Sequence, residues 1–183
     1  MILHVLGHRY HYEMENLCRA FYPTEVLRVV KQGNAPKPKG RLRVTKPSPV
    51  VVTRVDDRLH VQLRIGGKTH TLIRPKGENN ELIMAKMLFV LLRRATGNTP
   101  PWGLLTGVRP SKLMLRLRRD VGPDDAEHYF RNTLWVSEEK TRLAAQVAQA
   151  EEPVIAQTSA RSFSLYLAIP FCPSRCAYCS FNI

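Results

Sequence analysis

The chain has few cysteines, few aromatic residues, a small share of acidic residues and no long apolar run. Its 183 residues include 4 cysteines, 8% aromatic residues and only 15 acids against 28 Lys and Arg. No run approaches the roughly 20 apolar residues that a membrane helix needs. The first seven residues, MILHVLG, are too short and lack the basic start of a signal peptide. We therefore expect a cytoplasmic protein without a membrane span.

Positive charge is abundant and concentrated in two places, and the net charge is +13. Seven cations and no acid lie between Arg28 and Lys46. Arg109, Lys112, Arg116 and Arg119 follow a spacing that places them on one face of a helix. Such surfaces attract nucleic acids and polycarboxylates, but a solvated helix face and a disordered basic loop are the preferred explanation of the two patches. No aromatic residues interleave with the cations, which disfavours stacking of single-stranded RNA.

The order of periodic segments predicts an α+β domain built on an antiparallel meander. Leu59, Val61, Leu63 and Ile65 alternate with polar residues, and Gly66-Gly67 suits a tight hairpin. The predicted strands cover residues 2–6, 26–30, 50–55, 59–65 and 69–73; the predicted helices cover 12–21, 81–95, a segment from Pro110, 124–134 and 137–150. The helix over 81–95 is expected to be the central core helix, capped by Asn79 or Asn80 and ended by Gly97. Residues 33–49 are predicted to be a basic linker or loop. Pro153 is expected to end the last helix, with a connector over 154–162.

Three of the four cysteines, Cys172, Cys176 and Cys179, have the spacing C-x3-C-x2-C. They are too close together for a disulfide framework and suit a metal. Three thiolates on one loop can hold three irons of a [4Fe–4S] cluster and leave the fourth iron open. A structural zinc site is the alternative, but it needs a fourth ligand from Cys18 or a distant histidine. Alternating residues over 163–169 predict a strand before this loop.

Residues 166–181, YLAIPFCPSRCAYCSF, resemble the start of the catalytic barrel in radical S-adenosylmethionine (SAM) enzymes. The resemblance is greatest to the oxygen-independent coproporphyrinogen III oxidase branch. Residues 101–113, PWGLLTGVRPSKL, together with the ending C-S-F, resemble its HemZ-type coproporphyrinogen dehydrogenase subgroup. The resemblance implies an α+β accessory domain over 1–160, followed over 161–183 by the first strand and cluster loop of a (β/α) barrel. Such a barrel needs roughly 200 to 250 residues, so we expect this fragment to be inactive.

The resemblance also implies a set of cofactors and roles. Cys172, Cys176 and Cys179 would bind the cluster, and SAM would chelate the open iron and be cleaved to a 5′-deoxyadenosyl radical. Tyr178 would lie near the adenine and Tyr166 near the sulfonium. The implied reaction is oxidative decarboxylation of coproporphyrinogen III in haem biosynthesis, with electrons from a donor such as flavodoxin or ferredoxin.

Two positions differ from the coproporphyrinogen oxidase pattern: Ala168 stands where histidine is usual, and Phe181 where a further cysteine is usual. Three alternatives therefore stay open. The chain can belong to a radical SAM enzyme with another substrate, to a haem-handling relative, or to an RNA-modifying radical SAM enzyme with a basic RNA-binding module.

Arg109 is the remaining candidate site residue, at the start of a predicted helix within TGVRP. It is a candidate for binding substrate carboxylates, because helix starts favour anions; the alternative is a plain loop-to-helix cap with Trp102 packing the loop. His4, His8 and His11 would form a metal face on a helix, but the strand predicted over 2–6 scatters them. Cys18 is expected to be a small core residue.

Overall fold

A computed structural model describes residues 1–31, 48–107, 109–159, 161–163, 165–168, 171, 172 and 174. The strands are β1 (Ile2–Leu6), β2 (Arg28–Lys31), β3 (Val50–Val55), β4 (Arg58–Ile65) and β5 (Lys68–Pro75). The helices are α1 (His11–Phe21), α2 (Asn80–Thr96), α3 (Pro110–Val121), α4 (Pro123–His128) and α5 (Glu138–Ala156), with a π-helix over Tyr129–Thr133. The fold is therefore α+β, as predicted. In the described part of the chain, no helix is long and apolar enough to cross a membrane.

The five strands form one mixed sheet in the order β2-β1-β3-β4-β5. The predicted meander is confirmed, since β3, β4 and β5 pair antiparallel and Gly66 and Gly67 have φ of 56° and 75°. Beyond the meander the sheet is mixed, because β1 pairs parallel to both β2 and β3. For β2 the reason is the crossover through α1, which returns the chain in the same direction beside β1. The predicted linker over 33–49 lies outside the described residues, apart from Ser48 and Pro49.

One hydrophobic cluster lies between the sheet and the helices α1 and α2. Leu3, Val51 and Leu63 from the sheet are fully buried, as are Met14 and Leu88 from the helices. The Asn79 side chain caps α2 by accepting a 3.0 Å hydrogen bond from the Leu82 amide, and Gly97 ends the helix at φ 72°. Both caps and the central position of α2 confirm the prediction.

A second hydrophobic cluster is formed by α3, α4, the π-helix and α5 around Met114, Phe130 and Ala148. The segment 101–105 connects it to the first cluster. The Leu104 amide donates to the Leu134 carbonyl at 2.8 Å, and the Ser137 amide donates to the Pro101 carbonyl at 2.9 Å. These two bonds tie the segment to the chain between the π-helix and α5.

Three predicted boundaries are wrong. The helix predicted over 124–134 becomes a π-helix from Tyr129, with the Leu134 amide bonded to the Tyr129 carbonyl. Pro153 does not end α5, which continues to Ala156, so the predicted connector begins later than 154. Proline removes one helical hydrogen bond, but Pro153 and Gln149 are both exposed, so water can satisfy the free carbonyl. Residues 26 and 27 lie outside β2, which begins at Arg28.

The strand predicted over 163–169 is not found in its described residues, 163 and 165–168. A strand requires a hydrogen-bonded neighbour, and the described strands all belong to the sheet of β1 to β5. The barrel part of the predicted fold is therefore not shown.

Candidate functional site

The cysteine segment is described only in part. Cys172 is an exposed, free thiol, whereas Cys176, Tyr178 and Cys179 lie outside the described residues. Among the residues that are described, no three His, Cys, Asp or Glu side chains come together as a metal site. The cluster ligands therefore stay a prediction.

The residues before Cys172 expose large side chains. Tyr166 is 87% exposed, and Phe163, Leu165, Leu167 and Phe171 are between 74% and 87% exposed. None of these five residues belongs to either hydrophobic cluster of the described residues. Burying them requires a surface that the described α+β part does not supply.

A groove of about 830 Å³ lies between α3 and the C-terminal half of α5. Its cationic side consists of the four residues that were predicted to share one helix face: Arg109, Lys112, Arg116 and Arg119. The predicted spacing is thus confirmed, and the stripe lines a concave surface instead of a flat one. We call this feature the α3–α5 groove.

The other side of the α3–α5 groove is mainly apolar. It is formed by Val147, Ala150, Val154 and Ile155 of α5, together with Leu115 of α3. Val154 and Ile155 are 65% and 40% exposed, because α5 extends past the end of the second cluster. The continuation of α5 through Pro153, which sequence reasoning missed, therefore provides much of this wall.

The charges around the groove are unequal. Arg119 lies 3.8 Å from Glu152 in an ion pair, and Asp120 and Glu151 also line the groove. No described acidic group forms an ion pair with the other three cations, Arg109, Lys112 and Arg116. The groove therefore has spare positive charge next to apolar surface.

Arg109 has two separable roles in this arrangement. Its backbone is extended, with φ −79° and ψ 114°, and its carbonyl accepts the Leu113 amide at 3.2 Å. The loop-to-helix cap is thus provided by the backbone, and the Arg109 side chain lines the groove. Upstream, Gly107 has φ 66° and packs so closely on the Tyr12 ring that a Cβ would overlap it.

The three N-terminal histidines are placed in separate local environments. His4 lies on β1, His8 lies in the following turn, and the His11 Nδ1 is 3.0 Å from the Arg9 carbonyl oxygen. The Thr53 hydroxyl donates to the His4 carbonyl at 3.2 Å, so at 3.0 Å it accepts from His8 Nε2. His8 Nδ1 accepts the Tyr10 amide at 3.2 Å. His8 is therefore held as a neutral ring.

The comparisons with known proteins give one partial relative. The chain is 33% identical over 94 residues to the oxygen-independent coproporphyrinogen-III oxidase-like protein HemZ of Bacillus subtilis (strain 168), a match that covers 50% of this chain and 19% of HemZ. The chain thus spans about a fifth of the length of the curated relative it matches. No family profile matches the chain, and no solved structure matches it.

The length of this match shows that it is not confined to the cysteine segment. Residues 161–183 are only 23 in number, so most of the 94 matched residues lie within 1–160. The comparison therefore gives weak support to the family that the cysteine motif resembles, an oxidoreductase family, and this support includes the α+β part of the chain.

Proposed function

We propose that this chain is the N-terminal part of a coproporphyrinogen oxidase-like radical SAM oxidoreductase. The observation that carries the proposal is the presence, in one chain, of the C-x3-C-x2-C motif and of a match to HemZ that lies mostly within residues 1–160. A cysteine triplet alone is compatible with zinc, and a weak match alone identifies no chemistry. Together they favour one family of oxidoreductases.

The donor set suits an iron–sulfur cluster. Cys172, Cys176 and Cys179 supply three thiolates, the ligand type that such clusters require. Cys172 is an exposed thiol that forms no disulfide with the other described cysteine, Cys18. In this proposal Tyr166 and Tyr178 flank the bound SAM. The cluster together with SAM supplies one-electron chemistry at the barrel, and residues 1–160 form an accessory domain.

The proposal also specifies a substrate, a reaction and an electron donor. Coproporphyrinogen III is the proposed substrate, with its propionates decarboxylated to vinyl groups in haem biosynthesis. A cytoplasmic reductant such as flavodoxin or ferredoxin is the proposed electron source. The departures at Ala168 and Phe181 favour a second candidate, a radical SAM enzyme of the same family that acts on another substrate.

Anaerobic reconstitution with iron and sulfide tests the cluster directly. We expect about four irons and four sulfides per chain, with charge-transfer absorption that Cys172→Ala, Cys176→Ala or Cys179→Ala each removes. Cys18→Ala is the matched control, because Cys18 is fully buried in the first hydrophobic cluster and should not affect iron content. Zinc alone in the wild-type chain, or equal iron content in all four variants, would contradict the proposal.

A further inference from the structure

The α3–α5 groove has the size of a small-molecule site. Its volume of about 830 Å³ lies within the range of roughly 300 to 1,000 Å³ that is typical of ligand pockets. It belongs to the α+β part of the chain, whereas the proposed cluster cysteines lie after α5. Any ligand in this groove would therefore be bound by residues other than the cluster ligands.

The cationic side of the groove favours an anion with several charges. Lys112 and Arg116 are four residues apart on α3, and like charges at this spacing repel one another. Arg109 lies one turn before Lys112, and no described acid forms an ion pair with these three cations. Carboxylates would relieve this repulsion through charge-assisted hydrogen bonds, which arginine can form in a bidentate manner.

The apolar side of the groove favours a ligand that carries a large apolar part in addition to its negative charges. Leu115, Val147 and Ile155 face the space beside the cations. A phosphate or a small dicarboxylate would leave this wall in contact with water. Single-stranded RNA is disfavoured, because none of the groove residues is aromatic and base stacking supplies much of such binding.

We propose that the α3–α5 groove binds an apolar ring that carries several carboxylates, with the carboxylates on Arg109, Lys112 and Arg116 and the ring against the α5 wall. This inference rests on the proposed function, because a porphyrinogen with its propionates is a molecule of this chemistry. The groove would then be a second binding place for substrate or product, on the accessory domain. In this proposal α3 and α5 bind the carboxylated ring, and the cluster cysteines take no part in that binding.

A fluorescence titration of the full chain with coproporphyrin III, the air-stable porphyrin with four propionates, tests this proposal. The double variant K112Q/R116Q removes two groove cations and V147S/I155S weakens the wall; we expect at least about tenfold weaker binding for each. K68Q/R74Q removes two exposed cations from β5 and should bind within twofold of wild type. Circular dichroism of each variant verifies folding.

A second porphyrin probe and a competing RNA separate carboxylate recognition in the groove from other modes of binding. The tetramethyl ester of coproporphyrin III lacks the carboxylates and should bind at least about tenfold more weakly. Equal binding of ester and acid, equal losses in the groove and β5 variants, or no loss in the groove variants would each overturn the proposal. Competition by a single-stranded RNA at lower concentration than the porphyrin would also overturn it, in favour of an RNA site.

The same titration on C172A/C176A/C179A distinguishes this inference from the proposed function. Unchanged porphyrin binding by this variant is the expected result. If the wild-type chain assembles a cluster but binds no porphyrin, only the groove assignment fails. If it binds porphyrin in the groove but assembles no cluster, the groove assignment stands and the radical SAM proposal fails.

Discussion

At the scale of single residues, burial separates side chains that look alike in the sequence. Cys18 is fully buried on α1, and Cys172 is exposed. Burial and the neighbouring Glu15 raise the pKa of the Cys18 thiol to about 12. His8 is half-buried, and its two ring nitrogens are engaged by Thr53 and Tyr10. Each of these differences has a measurable consequence.

The two described cysteines should react at very different rates. In a C176A/C179A variant at pH 8, a pKa of about 12 leaves about one Cys18 in ten thousand as the reactive thiolate, and the site is closed to solvent. We expect one fast thiol per chain, Cys172, when the native protein is treated with a disulfide reagent. A second thiol should appear only in denaturant. Two fast thiols in the native protein would show that α1 does not bury Cys18.

His8 should make folding sensitive to mild acid. Its pKa is lowered from 6.5, mainly by burial and further by His11, although the hydrogen bond with Thr53 acts in the opposite direction. The unfolded chain therefore binds the proton more readily, and the stabilisation by neutral His8 is present above about pH 6.5 and lost as the pH falls towards the folded pKa. Urea unfolding between pH 7.5 and 5 should show this loss.

Two glutamine variants isolate the contribution of His8. The dependence on pH should be smaller in His8→Gln than in wild type, because glutamine does not titrate. His70→Gln replaces an exposed histidine on β5 and should keep the wild-type profile. Parallel profiles for wild type and His8→Gln would refute the assignment.

At the scale of secondary-structure elements, the segment 101–105 holds the two hydrophobic clusters together. Gly103 has φ 57°, and a Cβ there would overlap the carbonyl oxygens of Leu134 and Trp135. Trp135 in turn packs edge-to-face on Phe89 of α2, with ring centres 5.5 Å apart. This close approach connects α2 with the π-helix and α5, and it therefore supports the α3–α5 groove.

Gly97 and Gly103 both have a positive φ angle, so replacing each with alanine should separate the cost of backbone strain from the cost of steric overlap by the added Cβ. Gly97 has φ 72° and nothing within 4 Å of its Cβ position, so Gly97→Ala should cost only the left-handed strain, about 1 to 2 kcal/mol. Gly103→Ala adds steric overlap and should lose at least about 2 kcal/mol more. Urea unfolding of both variants measures the difference. Equal losses would mean that the 101–105 segment can move away from residues 134–135.

At the scale of the whole molecule, the described chain divides into a packed α+β part and an exposed segment. The two clusters draw on residues from Met1 to Ala148. Phe163 and Leu167 are 87% and 82% exposed, and they bury nothing against these clusters. The stability of the α+β part should therefore not depend on the cysteine segment.

Removal of residues 160–183 should leave the α+β part folded. We expect the melting temperature of the 1–159 chain, measured by circular dichroism, to stay within about 2 °C of the full chain, because little apolar contact is lost. A chain that ends at Ala144 is the control, since it also removes the buried Ala145 and Ala148 and should melt at lower temperature. A large decrease for the 1–159 chain would reveal contacts between the segment and the domain.

The sequence by itself determined the periodic elements and the spacing of the cysteine motif. The α2 helix could be predicted with its caps, because Asn79 and Gly97 act on neighbouring backbone groups. The β4–β5 hairpin could be predicted because Gly66-Gly67 and the alternation of Leu59 to Ile65 are also local. The spacing of the α3 cations was likewise a local property and was predicted correctly.

Only the tertiary structure decided how these elements are arranged. The parallel pairing of β1 with β2 depends on the path of α1 over the sheet, which no local pattern encodes. The continuation of α5 through Pro153 depends on solvent access to one carbonyl, and the wall of the α3–α5 groove depends on that continuation. A groove between two helices is a property of their packing, so the sequence could identify its cations but not the apolar surface that faces them.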